Sequence, residues 1–199
     1  MSESASFDPW IANDDLLRVF NWQEVFGNAN PVEIELGAGD GGFILEYAKR
    51  NPQKNFIAIE RLKGRVSKIA KRAVQRDLSN LRALRLQSEY VIGYMCSPGS
   101  ISVIHIMFPD PWPKRRHFKF RLIQLEFLAK AHKALANGGV VRFTTDHEEY
   151  FQWANRVWAS APGWKNIGVW DASDDPKSDF QQQFEAEGKQ SHRCQWMKI

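Results

Sequence analysis

Short β-branched, apolar runs alternate with helix-patterned segments along most of this chain, and that alternation constrains its fold more than any other feature. Residues 32–36, 55–60, 81–86, 102–108 and 139–144 read as strands. Between them, residues 42–50, 64–78, 122–135 and 148–160 read as helices. In the second helix Val66, Ile69, Ala70 and Ala73 recur at three- and four-residue spacing, which places them on one face. Asn51-Pro52 closes the first helix and Asn137-Gly138 caps the third. Residues 164–170 and 192–198 read as two further strands. Strand and helix in repetition specify a parallel sheet with helices on both faces, the doubly wound α/β class. The run 102–108 is the most apolar and is expected at the centre. Residues 171–188 are polar and acidic, break the rhythm, and read as a long loop.

Length and composition set the bounds. A chain of 199 residues with 43% hydrophobic and 25% charged residues is one globular domain, here residues 31–199, preceded by an arm of residues 1–30. No apolar stretch reaches the 18 residues of a membrane span. The first eight residues carry acids and no apolar segment, unlike a secretory signal. Two cysteines make no disulfide framework, and the five histidines stand at no metal-ligand spacing, so a cytoplasmic protein without a metal is expected. Charge is unevenly placed. Residues 61–76 hold seven Lys and Arg and residues 114–121 five more, with no acid in either run. A polyanionic partner fits that pattern; so do solvated helix faces.

Two loops carry the chemistry. Gly37-Ala-Gly39-Asp-Gly41-Gly42 leaves the first long strand and opens a helix, where glycine lets the backbone turn sharply and approach a ligand closely. Glu60 ends the next strand, about 20 residues on, where a carboxylate meets ribose hydroxyls. The glycines fit a dinucleotide through Gly37-x-Gly39-x-x-Gly42, or S-adenosylmethionine through Glu35-x-Gly37-x-Gly39-x-Gly41. Glu35 favours the second, because a carboxylate attracts an ammonium and a sulfonium and repels a pyrophosphate. The second loop is Phe108-Pro-Asp110-Pro-Trp112-Pro-Lys114-Arg115-Arg116-His117. Prolines at 109, 111 and 113 push the residues before them toward extended geometry, so Asp110 and Trp112 are expected to project to one side. A carboxylate beside an indole can hold a nucleobase by its edge and face. The cations after it suit phosphates.

Glu35-x-Gly-x-Gly, Glu60, the Phe108–His117 stretch and Thr145-Asp146, in this order and spacing, resemble the bacterial tRNA (guanine-N7)-methyltransferases of the TrmB type across residues 32–199. The resemblance implies a class I, Rossmann-like methyltransferase sheet, mostly parallel with a late antiparallel strand. It implies methyl transfer from S-adenosylmethionine to N7 of the variable-loop guanosine of tRNA (position 46), by a monomer or homodimer. It also implies that Glu35, Gly37, Gly39, Gly41, Glu60, Gln87 and Asp110 meet the cofactor. Asp110 is the expected catalytic residue, and Trp112, Lys114, Arg115, Arg116, Asp146, Gln182 and Glu185 are expected at the tRNA. Two positions depart from the family pattern: Gln87 stands where the family has an acid, and Gln182 where it has threonine. A nicotinamide-dependent oxidoreductase and a non-catalytic RNA-binding protein are the alternatives.

Overall fold

Burial on both sides explains the β-branched runs: the strands at 32–36 and 55–59 are buried at every position, which suits a sheet sandwiched between helices. The computed structural model describes residues 7–11 and 18–199. In chain order the elements are β1 (Trp10–Ile11), α1 (Trp22–Phe26), β2 (Val32–Leu36), α2 (Gly42–Arg50), β3 (Asn55–Ile59), α3 (Lys63–Gln75) and β4 (Leu81–Leu84). There follow α4 (Ser88–Tyr90) with a π-helical turn at Val91–Met95, β5 (Ile101–Met107), a 3-10 turn at Arg115–Phe120, α5 (Leu125–Ala134) and β6 (Leu135–Thr145). The chain ends with α6 (Glu148–Ser160), β7 (Trp164–Asn166), α7 (Asp179–Ala186) and β8 (His192–Lys198).

The eight strands make one sheet in the order β1-β4-β3-β2-β5-β6-β8-β7. The pairs from β1 to β6 are parallel, and β8 runs antiparallel to both β6 and β7. Strand alternation divides the interior in two. Ile57 and Ile59 pack with Phe127, Tyr150 and Trp158 of α5 and α6, whereas Phe56 and Ala58 pack with Phe43 of α2 and Val66 and Ile69 of α3. The same alternation turns Glu33, Glu35 and His105 toward α2, where the His105 ring lies against Phe43 and Tyr47.

The sheet order reverses at β2, where β3 and β5 lie on opposite sides. Leu36 pairs with Ile59 and with Ile106, so the loops after β2, β3 and β5 open side by side at the carboxyl edge. That edge is where ligands bind open α/β sheets.

Several elements differ from the sequence reading. Residues 171–188 are not a continuous loop: they contain α7, whose N-cap Ser178 accepts from the Gln181 amide. The polar composition hid a helix that buries little beyond Gln181. The strand expected over 164–170 ends at Asn166: Ile167 and Gly168 still exchange backbone hydrogen bonds with Gln195 of β8, but Gly168 takes a positive φ of 85° and the regular pairing stops. β6 begins at Leu135, so Asn137-Gly138 falls within a strand whose register against β5 shifts between Ile101 and Val103. Of the expected arm, residues 1–6 and 12–17 lie outside the described residues. Trp10 and Ile11 pair with Ala83 and Leu84 at the sheet edge, and Phe20 bridges Cys96.

Candidate active site

The glycine loop is shaped by its neighbours as much as by its glycines. Gly37, Gly39 and Gly41 all have positive φ, at 73°, 57° and 84°. At Gly41 a side chain is doubly excluded, because a Cβ there would lie 2.8 Å from Ile69 of α3. At Gly37 the corresponding direction is open space to 4 Å, room for a ligand to approach the backbone. The Gly37 and Ala38 amides both donate to Ile59 O, which ties the loop to β3.

Two carboxylates face this loop in different states. Glu60 is 8% exposed and heavily used. Its Oε2 accepts from the Gly39 amide at 3.1 Å, and its Oε1 from the Arg61 and Leu62 amides at 2.7 and 2.9 Å. A carboxylate offers about four acceptor positions, so Glu60 holds the loop and keeps one position free. Glu35 is 2% exposed and its Oε2 has no partner. Burial pushes its carboxyl well above the ordinary carboxylate range, and the charges of Asp179 and Glu60 push it the same way, against the opposing pull of the Ile44 amide. A buried acid with an orphaned oxygen is costly on its own and is relieved by a cation.

On the same face, Glu33 lies 2.7 Å from His105 Nε2 and 2.7 Å from Lys54 Nζ. Burial alone would raise the Glu33 carboxyl. Its bonds and charge interactions with His105 and Lys54 more than offset that and hold it at about 2.

The loop after β5 departs from the extended path. Phe108 and Trp112 both take positive φ, at 51° and 44°, rather than the extended angles that a following proline favours. Asp110 and Trp112 therefore do not simply alternate along an extended chain. Such angles cost a bulky residue about 1–3 kcal/mol and persist where surroundings over-determine them. The Phe108 amide donates to Thr144 O at 2.8 Å. Arg121, 2% exposed, donates from Nε to Pro111 O at 2.8 Å, ion-pairs with Glu149 at 2.5 Å, and lies over the Phe118 ring at 3.6 Å. Arg121 was grouped in sequence with the surface cations; its place is inside, stapling the proline loop.

Asp110 is exposed and makes no hydrogen bond or ion pair among the described residues. Lys114 and Arg115 are exposed and unpaired there as well, and Arg116 bonds His117. Trp112, His117 and Phe120 touch ring to ring at 5.3–5.9 Å, and Phe120 is left 54% exposed. On α3 the picture differs. Lys68 and Arg65 pair with Asp40, Arg72 donates to Asp40 O, and Arg76 pairs with Glu46.

The other expected site residues are spread along the same edge. Gln87 is exposed just before α4 and makes no side-chain cap. Asp146 follows β6, with Lys189 Nζ at 3.8 Å. Its neighbour His147 caps α6, its side chain accepting from the Tyr150 amide. Gln182 lines a cleft of about 730 Å³ between α2, α3 and α7, away from the proline loop. Glu185 is held by Lys177 and Gln181.

The sequence reading missed the part of α7 that meets the glycine loop. A Cβ at Gly42 would lie 2.6 Å from Asp179 Oδ1, and one at Gly39 would lie 3.6 Å from the Phe180 ring. Phe184, one turn on, touches Phe108 at 5.5 Å, so α7 spans both loops. The serine-aspartate step that starts α7 is an N-cap signal legible in sequence; its destination is not.

A sheet of this order, with a glycine loop after β2, an acid ending β3 and helices on both faces, defines a class I methyltransferase. The solved structure of the aminoglycoside resistance methyltransferase NpmB1 shares the fold, with a TM-score of 0.63 at 15% identity over 89% of this chain and 92% of that one. Residues 29–196 match the family described as "Putative methyltransferase". The chain is 34% identical over 190 residues to the tRNA (guanine-N(7)-)-methyltransferase of Aliivibrio fischeri (strain MJ11), covering 94% of this chain and 79% of that protein. It is 33% identical over 180 residues to the enzyme of that name from Streptococcus sanguinis (strain SK36), covering 87% and 84%. This chain belongs to the tRNA (guanine-N7)-methyltransferase family.

S-adenosylmethionine is the cofactor of this class, and the site fits it. An orphaned buried carboxyl at Glu35 suits a cationic group, and open space beside Gly37 admits a ligand against the backbone. Among the described residues no helix is long and apolar enough to cross a membrane, and no cluster of His, Cys, Asp and Glu is placed to hold a metal.

Proposed function

We propose that residues 31–199 form the domain that transfers a methyl group from S-adenosylmethionine to N7 of a guanosine in tRNA, and that this guanosine is the one in the variable loop. A tRNA substrate implies a cytoplasmic setting, and the enzyme works there as a monomer or homodimer. The observation that carries the reading is Asp110. It is exposed on a loop next to the glycine loop, and neither it nor the cations Lys114 and Arg115 that follow it have a partner among the described residues.

The cofactor supplies an electrophilic methyl group on a sulfonium. Gly37, Gly39 and Gly41 bring backbone close to it, Glu35 faces its cationic part, and Glu60 receives ribose hydroxyls at its free acceptor position. Gln87 reaches the adenine by hydrogen bonding, without the charge of the family's acid. Guanine N7 carries a lone pair and no proton, so no general base is required. Asp110 accepts from N1–H and N2–H of the guanine and aligns N7 with the methyl group; alignment of this kind is worth about 7–11 kcal/mol. The base becomes cationic on methylation, and a fixed carboxylate favours that charge. Trp112 supports the base, Lys114, Arg115 and Arg116 contact phosphates, and Asp146, Gln182 and Glu185 complete the RNA side.

The test is tritiated methyl transfer to tRNA transcripts carrying guanosine or adenosine at the variable-loop position, followed by nucleoside analysis. The expected product is 7-methylguanosine in the first transcript only. Label in both transcripts would place the target elsewhere, and label in neither would defeat the reading.

A further inference from the structure

α7 is the element that the function above leaves unexplained. It runs from the glycine loop to the proline loop: Asp179 and Phe180 meet Gly42 and Gly39, and Phe184 meets Phe108. Its flanks are anchored. Trp170 is buried beneath Arg142 and donates to Asp175 Oδ2, Arg50 donates to Asp174 O, and Lys189 lies over the Phe184 ring near Asp146. The helix thus bridges the cofactor side and the substrate side of the sheet edge.

Its first residue is an acid set beside other acids. Asp179 makes no hydrogen bond or ion pair among the described residues, and its carboxylate abuts Gly42 at the start of α2. The nearby Glu35 is buried with Oε2 unpartnered and feels the charge of Asp179 directly. Glu60 is committed to the Gly39, Arg61 and Leu62 amides, and Arg65 approaches it only at 4.0 Å. Carboxylates brought together without a cation repel one another. Arg50, Arg72, Arg76 and Lys177 line the same cleft as Asp179, but among the described residues none of them forms an ion pair with it, so its carboxylate is left for a positive group brought by a ligand.

We propose that Asp179 binds the α-ammonium group of S-adenosylmethionine together with Glu35, which makes α7 a lid that closes on the amino-acid half of the cofactor. This rests on the cofactor reading above. Closure places Phe180 and Phe184 between the two loops, so the lid carries cofactor occupancy to the proline loop that holds Asp110. The S-adenosylhomocysteine product keeps the ammonium and loses the sulfonium charge, so Asp179 holds product and cofactor alike, and the lid must open for exchange.

Calorimetry with three ligands tests this: S-adenosylmethionine, S-adenosylhomocysteine and 5′-methylthioadenosine, which lacks the amino-acid portion. Asp179→Asn is expected to weaken the first two at least tenfold, as loss of a charge-assisted bond does, and to leave methylthioadenosine within about twofold. Asp179→Glu is expected to recover most of the loss. In wild type, S-adenosylhomocysteine should slow tryptic cleavage after Lys177 and Lys189, methylthioadenosine should not, and Asp179→Asn should remove the protection. An equal loss for all three ligands would make Asp179 a structural helix residue and overturn the proposal, as would no loss for any. Failure of wild type to bind any of the three would overturn the cofactor reading itself.

Discussion

The edge of the sheet carries two loops, each followed by a run of cations; four cations of the first run are paired internally, whereas those next to Asp110 are not. After β3, Glu60 is bonded to three amides, and Arg65, Lys68 and Arg72 of α3, with Arg76 just past its end, are turned back onto Asp40 and Glu46. After β5, Asp110, Lys114 and Arg115 are exposed with no hydrogen bond or ion pair among the described residues. Internal pairing makes the first region a preformed loop, the part that the proposed function gives to the cofactor. In the second the charges stay at the surface, and Arg121 alone has been drawn inside to hold the loop's shape. A basic run in a sequence is therefore ambiguous until its acids are located.

The sharpest way to break this contrast is at Asp110. Asp110→Asn is expected to lower kcat by roughly 10²–10³, the scale of a lost transition-state contact, with S-adenosylmethionine affinity within about twofold by calorimetry. Near-normal turnover would remove the carboxylate from the chemistry. Glu60→Ala, which takes away both the loop's tie and an acceptor for ribose, should weaken cofactor binding at least tenfold, because charge-assisted bonds contribute about 1.5–3 kcal/mol each. Its tRNA gel shift should stay close to wild type.

Replacing Lys114 and Arg115 together by alanine should weaken tRNA binding several-fold and make the slope of log K against log salt shallower by about 1.4–1.8 units, at constant cofactor affinity. The matched pair, Arg72→Ala with Arg76→Ala, should change tRNA binding by less than about twofold, since those guanidiniums already have partners; a loss equal to the first pair's would mean that the RNA follows α3.

The smallest effect concerns pH. Glu35 binds its proton more tightly folded than unfolded, so its contribution to stability is complete below the ordinary carboxylate range and declines as pH rises through it toward the raised folded value. Glu35→Gln removes that decline. It should raise the melting temperature of the ligand-free protein at neutral pH by about 2–4 °C while weakening S-adenosylmethionine binding.

Much of this was legible beforehand. The helices at 42–50 and 148–160 and the strand at 192–198 lie where the pattern puts them, because apolar periodicity and a terminal glycine, proline or capping residue are local signals. The polar tract 171–188 was not read as a helix, since α7 buries so little of itself that no apolar stripe marks it. Phe108 and Trp112 were expected to be extended from their prolines, and contacts from Thr144, Phe120 and Arg121 hold them elsewhere.

By itself the sequence determined the alternation of strand and helix, the glycine turn at the carboxyl edge, and the residue types facing it, because backbone freedom and side-chain chemistry belong to each residue and its near neighbours. Only the tertiary structure decided which charges are consumed and which are offered. Arg121 and Lys114 are seven positions apart and chemically alike, yet one is sealed against Glu149 and Phe118 while the other faces water. Asp179, far along the chain from the glycine loop, comes to rest against Gly42, where its charge reaches Glu35. Such pairings depend on distances between segments remote in sequence, and those distances exist only once the sheet has assembled.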